Sequence, residues 1–315
     1  MAAGARPGML AIAPVYPPAL TEAETLCTVH QRWLLTDVDA FLREHGPSIR
    51  VLATTGLRGF TAADLDGLPN VGLVACFGRG YGTLDLAAAK ARGITLTNTP
   101  DWTDEAVADV ALGLMIGTMR RLCEADRFVR AGRWTDGPFP MSTDLRGKTV
   151  GLIGLGSIGR AVARRVEGFG MKIVWHGPSP KVEVPWPYFA DLTAMAEAVD
   201  CLVVCCASTA ATRWLVDTQI LGALGPQGFL VNVSRGAVVD QTALIEALAS
   251  GVIAGAGLEV FDDEPRVPAD LRAMEQVMLL PHAGSSTREI RAHRQARFIG
   301  NVRAFLNEEP LLDPC

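Results

Sequence analysis

The chain lacks any uninterrupted apolar run approaching the roughly 18 residues of a membrane-spanning helix. It also lacks a basic surplus. Its 29 Lys and Arg are outnumbered by 34 Asp and Glu, and a formal net charge of -5 argues against a nucleic-acid binder. Residues 1–7 carry one arginine and no apolar core of about seven residues behind it, so no signal peptide and a cytoplasmic protein are expected. No Cys-x-x-Cys occurs among the seven cysteines, and no histidine stands at a zinc spacing from them. Cys201, Cys205 and Cys206 sit in an apolar run, where cysteine behaves as a small buried hydrophobe, so neither a metal site nor a disulfide framework is expected. What remains is a soluble chain whose expected ligand is small.

At 315 residues the chain suggests two domains of about 100 to 200 residues each. Strand patterns near 9–13, 50–53, 72–76 and 94–97 alternate with helical patterns over 20–34 and 84–92, which implies a parallel sheet. A proline-free helical pattern then runs from 103 to about 131, long enough to bridge domains, before the Gly- and Pro-rich loop 132–141. From Thr149 the alternation resumes, with strands there and near 171–175, 201–205, 229–233, 254–256 and 277–280, which makes six. The final helix, about 286–307, is left over and is expected to return to the first domain. The expected fold is α/β with two Rossmann-like doubly wound parallel sheets. The dinucleotide-binding domain, 101–285, is inserted into a smaller flavodoxin-like substrate domain, 1–100 with 286–315. Ligands commonly bind in clefts between such domains.

The strand at Thr149 runs into Gly154-Leu155-Gly156-Ser157-Ile158-Gly159, and an amphipathic helix follows. In that context Gly154 permits the tight turn, Gly156 the approach of a pyrophosphate, and Gly159 close helix-strand packing. The phosphates would rest on the first helical N–H groups, those of Ser157 and Ile158 among them. No acid ends the next strand, which closes Trp175-His176-Gly177-Pro178-Ser179-Pro180-Lys181. An acid there would bind the ribose hydroxyls of NAD. With none to repel a 2'-phosphate, and with His176, Ser179 and Lys181 able to donate to one, NADP is expected, with NAD possible. Lys181 also has an ordinary reading as an exposed loop lysine, and no arginine stands at position 177.

Three ionisable residues fall where later strands should end: Arg235, Glu264 and His282. In open α/β sheets such positions converge although they are far apart in sequence. A guanidinium fork suits a carboxylate. A histidine suits proton donation to a carbonyl oxygen near neutral pH, and a neighbouring carboxylate would orient its ring.

These stretches, with Asp85 to Ile94, Thr97-Asn98-Thr99-Pro100, Asn232 to Asp240, Gly255 to Pro265 and Pro281 to Thr287, resemble the D-isomer specific 2-hydroxyacid dehydrogenase family along nearly the whole chain. That family includes glyoxylate and hydroxypyruvate reductases. The resemblance implies that Arg235 binds substrate carboxylate and carbonyl, that His282 is the acid/base and that Glu264 is its partner. It implies that amides of Gly78, Arg79 and Gly80 hold the carboxylate, and that Thr212, Val233, Ser234, Glu259 and Gly284 border the cofactor. A homodimer built around the cofactor domains and the long helix is implied as well. The chain departs from the pattern at Arg79, commonly apolar, at Glu259, usually Asp, and at Ala207, usually Pro. Arg79 either supplies a second anion contact or points into solvent. Trp102, Trp134, Phe139 and Met141 either line the cleft or serve hinge and dimer packing.

The expected activity is reduction of a small 2-keto acid of the glyoxylate or hydroxypyruvate type to the D-2-hydroxy acid. A dinucleotide-sensing corepressor-like binding protein is the alternative, disfavoured by the lack of a long disordered tail or basic patch. A methyltransferase would leave Arg235, Glu264 and His282 unexplained.

Overall fold

The computed structural model describes residues 6–80, 83–100 and 103–315. Contacts divide the chain into two compact units, Met1–Trp102 with Thr287–Cys315, and Thr103–Ser286. The first unit begins with β1 (Gly8–Ala11), α1 (Pro17–Ala23), β2 (Thr28–Gln31), α2 (Val38–His45) and β3 (Ile49–Thr55). It continues through β4 (Leu73–Phe77), α3 (Leu86–Ala91) and β5 (Thr95–Thr97). The second contains α4 (Thr103–Met119), α5 (Leu122–Arg130), β6 (Thr149–Ile153), α6 (Ser157–Glu167), β7 (Lys172–His176), β8 (Tyr188–Phe189) and α7 (Leu192–Glu197). Then come β9 (Cys201–Val204), α8 (Thr218–Leu224), β10 (Phe229–Asn232), α9 (Gln241–Ala249), β11 (Gly255–Leu258), α10 (Ala269–Ala273) and β12 (Val277–Leu279). The last helix, α11 (Arg288–Leu306), belongs to the first unit and packs on β4 and α1.

Among the described residues the strands form a five-stranded sheet, ordered β2-β1-β3-β4-β5, and a seven-stranded sheet, ordered β12-β11-β10-β9-β6-β7-β8. Every strand pair is parallel. The two orders are those of the flavodoxin-like and dinucleotide-binding doubly wound folds, the second with an added edge strand. Strands covered on both faces must be apolar throughout, and β1, β4, β6, β9 and β10 are nearly so. Alternation along each strand then sorts the residues. Met9, Val51, Leu73 and Ala75 face α1 and α11 with Phe298 and Val302, whereas Leu10, Leu52, Val74 and Leu96 form the opposite core. In the larger sheet Val150, Leu152, Val203 and Val231 pack with α4 and α6, and Leu202, Val204, Leu230 and Leu258 with α7, α8 and α9.

Three expectations are corrected. The helix expected over 20–34 ends after Ala23, and Thr28–Gln31 instead pairs with β1 as an edge strand. A seven-residue helix there satisfies the apolar periodicity of Ala19, Leu20 and Ala23, and the β-branched Thr28-Val29 pair prefers the sheet. The long helix stops at Met119, because Arg121 takes φ 55° and begins a second helix. No proline or glycine announces that break. The larger sheet has seven strands rather than six, since Tyr188–Phe189 pairs with β7 without a crossover helix. A two-residue strand beside Pro187 carries no readable period.

Strand order reverses between β6 and β9 in the large sheet. Ligands of open α/β sheets bind beyond the carboxyl ends at such a point, which brings Gly154, Cys206, Ser234 and Glu259 to one sheet edge.

Candidate active site

The turn after β6 is shaped by backbone constraints. Gly154 has φ 96°, and a Cβ there would lie 2.6 Å from the Cys206 Cα; one at Gly159 would lie 2.3 Å from the Gly154 carbonyl oxygen. Gly156 differs. A Cβ on it would meet nothing within 4 Å, although it caps α6 with no side-chain hydrogen bond to the helix's first amides. The chain thus reserves open space in front of unsatisfied N–H groups at a helix N-terminus, the arrangement that takes a phosphate. These residues fit a dinucleotide.

Beyond β7, the His176 ring donates through Nδ1 to the Phe189 carbonyl oxygen at 2.9 Å, and Ser179 is exposed. Lys181 is not a free loop lysine. Its Nζ donates to the Leu155 carbonyl oxygen at 2.7 Å, setting an ammonium against the glycine turn itself. The acid farther along that loop, Glu183, is paired with Arg160 at 2.9 Å. Thr212 closes a 3-10 turn, accepting from Thr209 N at 2.7 Å and donating to the Ala207 carbonyl oxygen at 2.8 Å. Where the family usually has proline, Ala207 is therefore held by hydrogen bonding. Val233 is buried at the end of β10, and Ser234 Oγ donates to the Cys206 carbonyl oxygen at 2.5 Å.

Arg235 is presented by a residue the sequence reading passed over. Buried Asn232 accepts from Ser234 N at 3.0 Å and donates to the Arg235 carbonyl oxygen at 3.1 Å, turning the chain so that Arg235 emerges at the surface. Its Nη1 donates to the Ser234 carbonyl oxygen at 2.7 Å. Gly236 follows because nothing larger fits: a Cβ there would stand 2.1 Å from the Phe261 carbonyl. The Arg235 loop and the loop bearing Glu264 are thus packed back to back.

Glu264 uses both oxygens. Oε1 accepts from the Phe261 amide at 3.0 Å, and Oε2 lies 2.7 Å from His282 Nδ1. A carboxylate on Nδ1 selects the ring orientation and leaves Nε2 as the atom that meets a reactant. His282 has φ 51°, in the left-handed region that few non-glycine residues adopt and histidine adopts more readily than most. The turn is held by neighbours, since His282 N donates to the Glu259 carbonyl oxygen at 3.0 Å and Gly284 N donates to Glu259 Oε1. Glu259 is 2 % exposed, and burial pushes its carboxyl above the ordinary range, opposed by the Gly284 amide and the charge of His282. Its Oε2 is buried with no hydrogen-bond partner among the described residues. A buried orphan acceptor at this edge is what a donor from a bound group would satisfy.

In the first unit, Gly78 N donates to Thr99 Oγ1 at 2.8 Å, so this amide already has a partner within the protein. The Arg79 carbonyl oxygen accepts from Asn98 Nδ2 at 2.8 Å, and Gly80 has open space where a Cβ would stand. Of the candidates for lining the cleft, Trp102 lies outside the described residues. Trp134 and Met141 are 67 % and 96 % exposed, and Phe139 packs edge-on against Phe128. All seven cysteines are free, and no group of metal-ligating side chains occurs among the described residues.

A doubly wound sheet with a glycine turn at its switch point, and a paired histidine and carboxylate at the same edge, defines a dinucleotide-binding protein of the dehydrogenase class. Residues 112–284 match the profile of the D-isomer specific 2-hydroxyacid dehydrogenase NAD-binding domain. The chain is 40 % identical over 307 residues to glyoxylate/hydroxypyruvate reductase A of Arabidopsis thaliana, covering 98 % of both. Among solved structures it matches a 2-hydroxyacid dehydrogenase of Ketogulonicigenium vulgare Y25 with TM-score 0.93 and 37 % identity over 99 % of both chains. It matches an NADPH-dependent glyoxylate/hydroxypyruvate reductase of Sinorhizobium meliloti, in complex with NADP and malonate, with TM-score 0.85 and 40 % identity over 99 % of this chain and 97 % of that one. The chain belongs to the D-isomer specific 2-hydroxyacid dehydrogenase family.

Proposed function

We propose that the protein is an NADPH-preferring reductase that converts glyoxylate, hydroxypyruvate or a similar small 2-keto acid to the 2-hydroxy acid, with D configuration wherever that carbon is a stereocentre. The observation that carries this reading is the 2.7 Å contact between His282 Nδ1 and Glu264 at the edge that also presents Arg235. The NADP and malonate complex of the Sinorhizobium meliloti relative supports it, as does the Lys181 ammonium against the glycine turn.

The nicotinamide, when bound, supplies hydride to the keto carbon. Arg235 holds the carboxylate and polarises the carbonyl. The Arg79–Gly80 amides are assigned to substrate carboxylate binding, as the family resemblance implies. His282 donates the Nε2 proton to the carbonyl oxygen as that oxygen gains charge, so ketone, hydride and proton together give the alcohol. Glu264 stabilises the doubly protonated ring before transfer and keeps its orientation after it. With a third of its side chain exposed, His282 regains its proton from solvent. Glu259 Oε2 is assigned to the carboxamide of the nicotinamide, whose N–H would satisfy it. Gly154, Gly156, Ser157, Ile158 and Gly159 cradle the pyrophosphate, and His176, Ser179 and Lys181 meet the 2'-phosphate. We further propose a cytoplasmic homodimer.

The test is oxidation of NADPH and NADH against glyoxylate, hydroxypyruvate, pyruvate, phenylpyruvate and a dicarboxylic keto acid. The reading expects turnover with the first two and higher kcat/KM with NADPH. No turnover with any of them would move the reading to a dinucleotide sensor.

A further inference from the structure

The loop after β3 holds an ion cluster, built around one buried carboxylate, outside the residues assigned above. Asp64 has a side chain only 5 % exposed, and its carboxylate accepts from Arg32 Nη1 at 2.7 Å, from Arg58 Nη2 at 2.6 Å and from Arg58 Nη1. It also accepts from the Thr61 amide at 2.9 Å and from Thr61 Oγ1 at 3.2 Å. Arg58 is therefore clamped in the bidentate geometry that fixes a guanidinium most firmly. The same guanidinium donates to the Gly59 carbonyl oxygen at 3.2 Å, which also accepts from Thr54 Oγ1 at 2.5 Å. Gly59 has φ 64°, and a Cβ on it would stand 1.9 Å from the Thr83 carbonyl oxygen. Thr83 Oγ1 in turn donates to the Gly56 carbonyl oxygen at 2.9 Å.

Gly56 carries the cluster to the Gly78–Gly80 turn. A Cβ on Gly56 would lie 2.9 Å from the Gly80 carbonyl oxygen, and one on Gly78 would lie 3.3 Å from the Gly56 nitrogen. The opposite side of that turn is pinned by Asn98 and Thr99. An amide that must meet a carboxylate within a few tenths of an ångström needs a rigid support on both sides. The sheet edge supplies one side, and the clamped loop after β3 supplies the other.

We infer that Asp64, through its clamp on Arg58, is a positioning residue for substrate binding: it holds the loop after β3 as the buttress of the Arg79–Gly80 amides that take the keto acid's carboxylate. This rests on the proposed reading of those amides. It separates two effects, because the Arg79–Gly80 amides sit in the first unit while the glycine turn and the His282 pair sit in the second.

The experiment measures KM for glyoxylate, kcat, and the dissociation constant of NADPH by fluorescence, in the full chain and three variants. Asp64→Asn is expected to raise KM about tenfold, with kcat within about twofold and NADPH binding unchanged. Arg58→Lys keeps the charge but loses the bidentate clamp, and is expected to raise KM about threefold; it decides the matter if Asp64→Asn does not fold. Gly80→Val tests the underlying reading, because Gly80 does not take a left-handed φ and a Cβ on it meets none of the described residues within 4 Å. A raised KM in Gly80→Val with unchanged KM in the other two, or a loss confined to kcat in them, overturns the inference about Asp64. Unchanged KM in Gly80→Val overturns the assignment of the amides themselves.

Discussion

His282 shows how a residue can be legible in sequence while the means of holding it is not. Its place after the last strand, following Pro281, marks it as a strand-end histidine, and the 18-residue separation from Glu264 closes to 2.7 Å only because two loops meet. The left-handed backbone at His282 and the Glu259 side chain that braces Gly284 leave no pattern in the chain. Asn232 and Asp64 were likewise silent, since Asn232 acts through backbone groups and Asp64 through arginines that only the folded loops bring to it. Asp64 did leave a trace: Thr61 and Asp64 stand at capping-box spacing, and both halves of the box form. The glycines sort by what surrounds them. Gly156→Val is expected to abolish NADPH binding with little change in thermal midpoint, because none of the described residues lies within 4 Å of that Cβ position. Gly159→Ala is expected to destabilise the fold by about 1–3 kcal/mol through overpacking on the Gly154 carbonyl, visible in thermal or denaturant unfolding.

At the scale of elements, long buried strands were readable because both faces are apolar, and helices because apolar residues recur at helical spacing; side-chain caps fix where some of the helices begin. Asp191, Asp217 and Asp240 each cap the helix they precede, and Thr287 caps α11 by accepting from Ile290 N at 3.1 Å. Thr287→Ala should lower stability by about 1 kcal/mol, seen as a small drop in thermal midpoint with kcat unchanged. β2 and β8 were not readable, being short edge strands of four and two residues that need a neighbour already in place. The loop after β3 makes a pH prediction. Burial alone would raise the Asp64 carboxyl, but hydrogen bonds from Arg58 and Thr61 and the charge of Arg58 win, moving it from 3.8 down to about 2. A depressed carboxyl stabilises the fold fully above its unfolded value and loses that contribution as pH falls through its folded value. The stability gap between the natural chain and Asp64→Asn should therefore be constant above about pH 5 and shrink as pH falls from 4 toward 2, measured by denaturant unfolding across that range.

For the molecule as a whole, alternation of strand and helix was enough to give two parallel sheets, and the unclaimed last helix was enough to give a first unit built from both ends of the chain. Assembly is written less plainly. Leu122, Val129, Trp134 and Met141 expose apolar surface along α5 and the loop behind it, which suits the proposed homodimer. Sedimentation should give twice the 33.5 kDa chain mass, and a monomer at micromolar concentration would contradict that assembly. The central claim is narrower: the dinucleotide site serves proton-coupled reduction through His282. Steady-state oxidation of NADPH by glyoxylate, in the natural chain and in His282→Ala, tests it most directly. The account predicts a loss in kcat of about 10²–10⁴-fold with the NADPH dissociation constant unchanged. Equal turnover in the two proteins would contradict it.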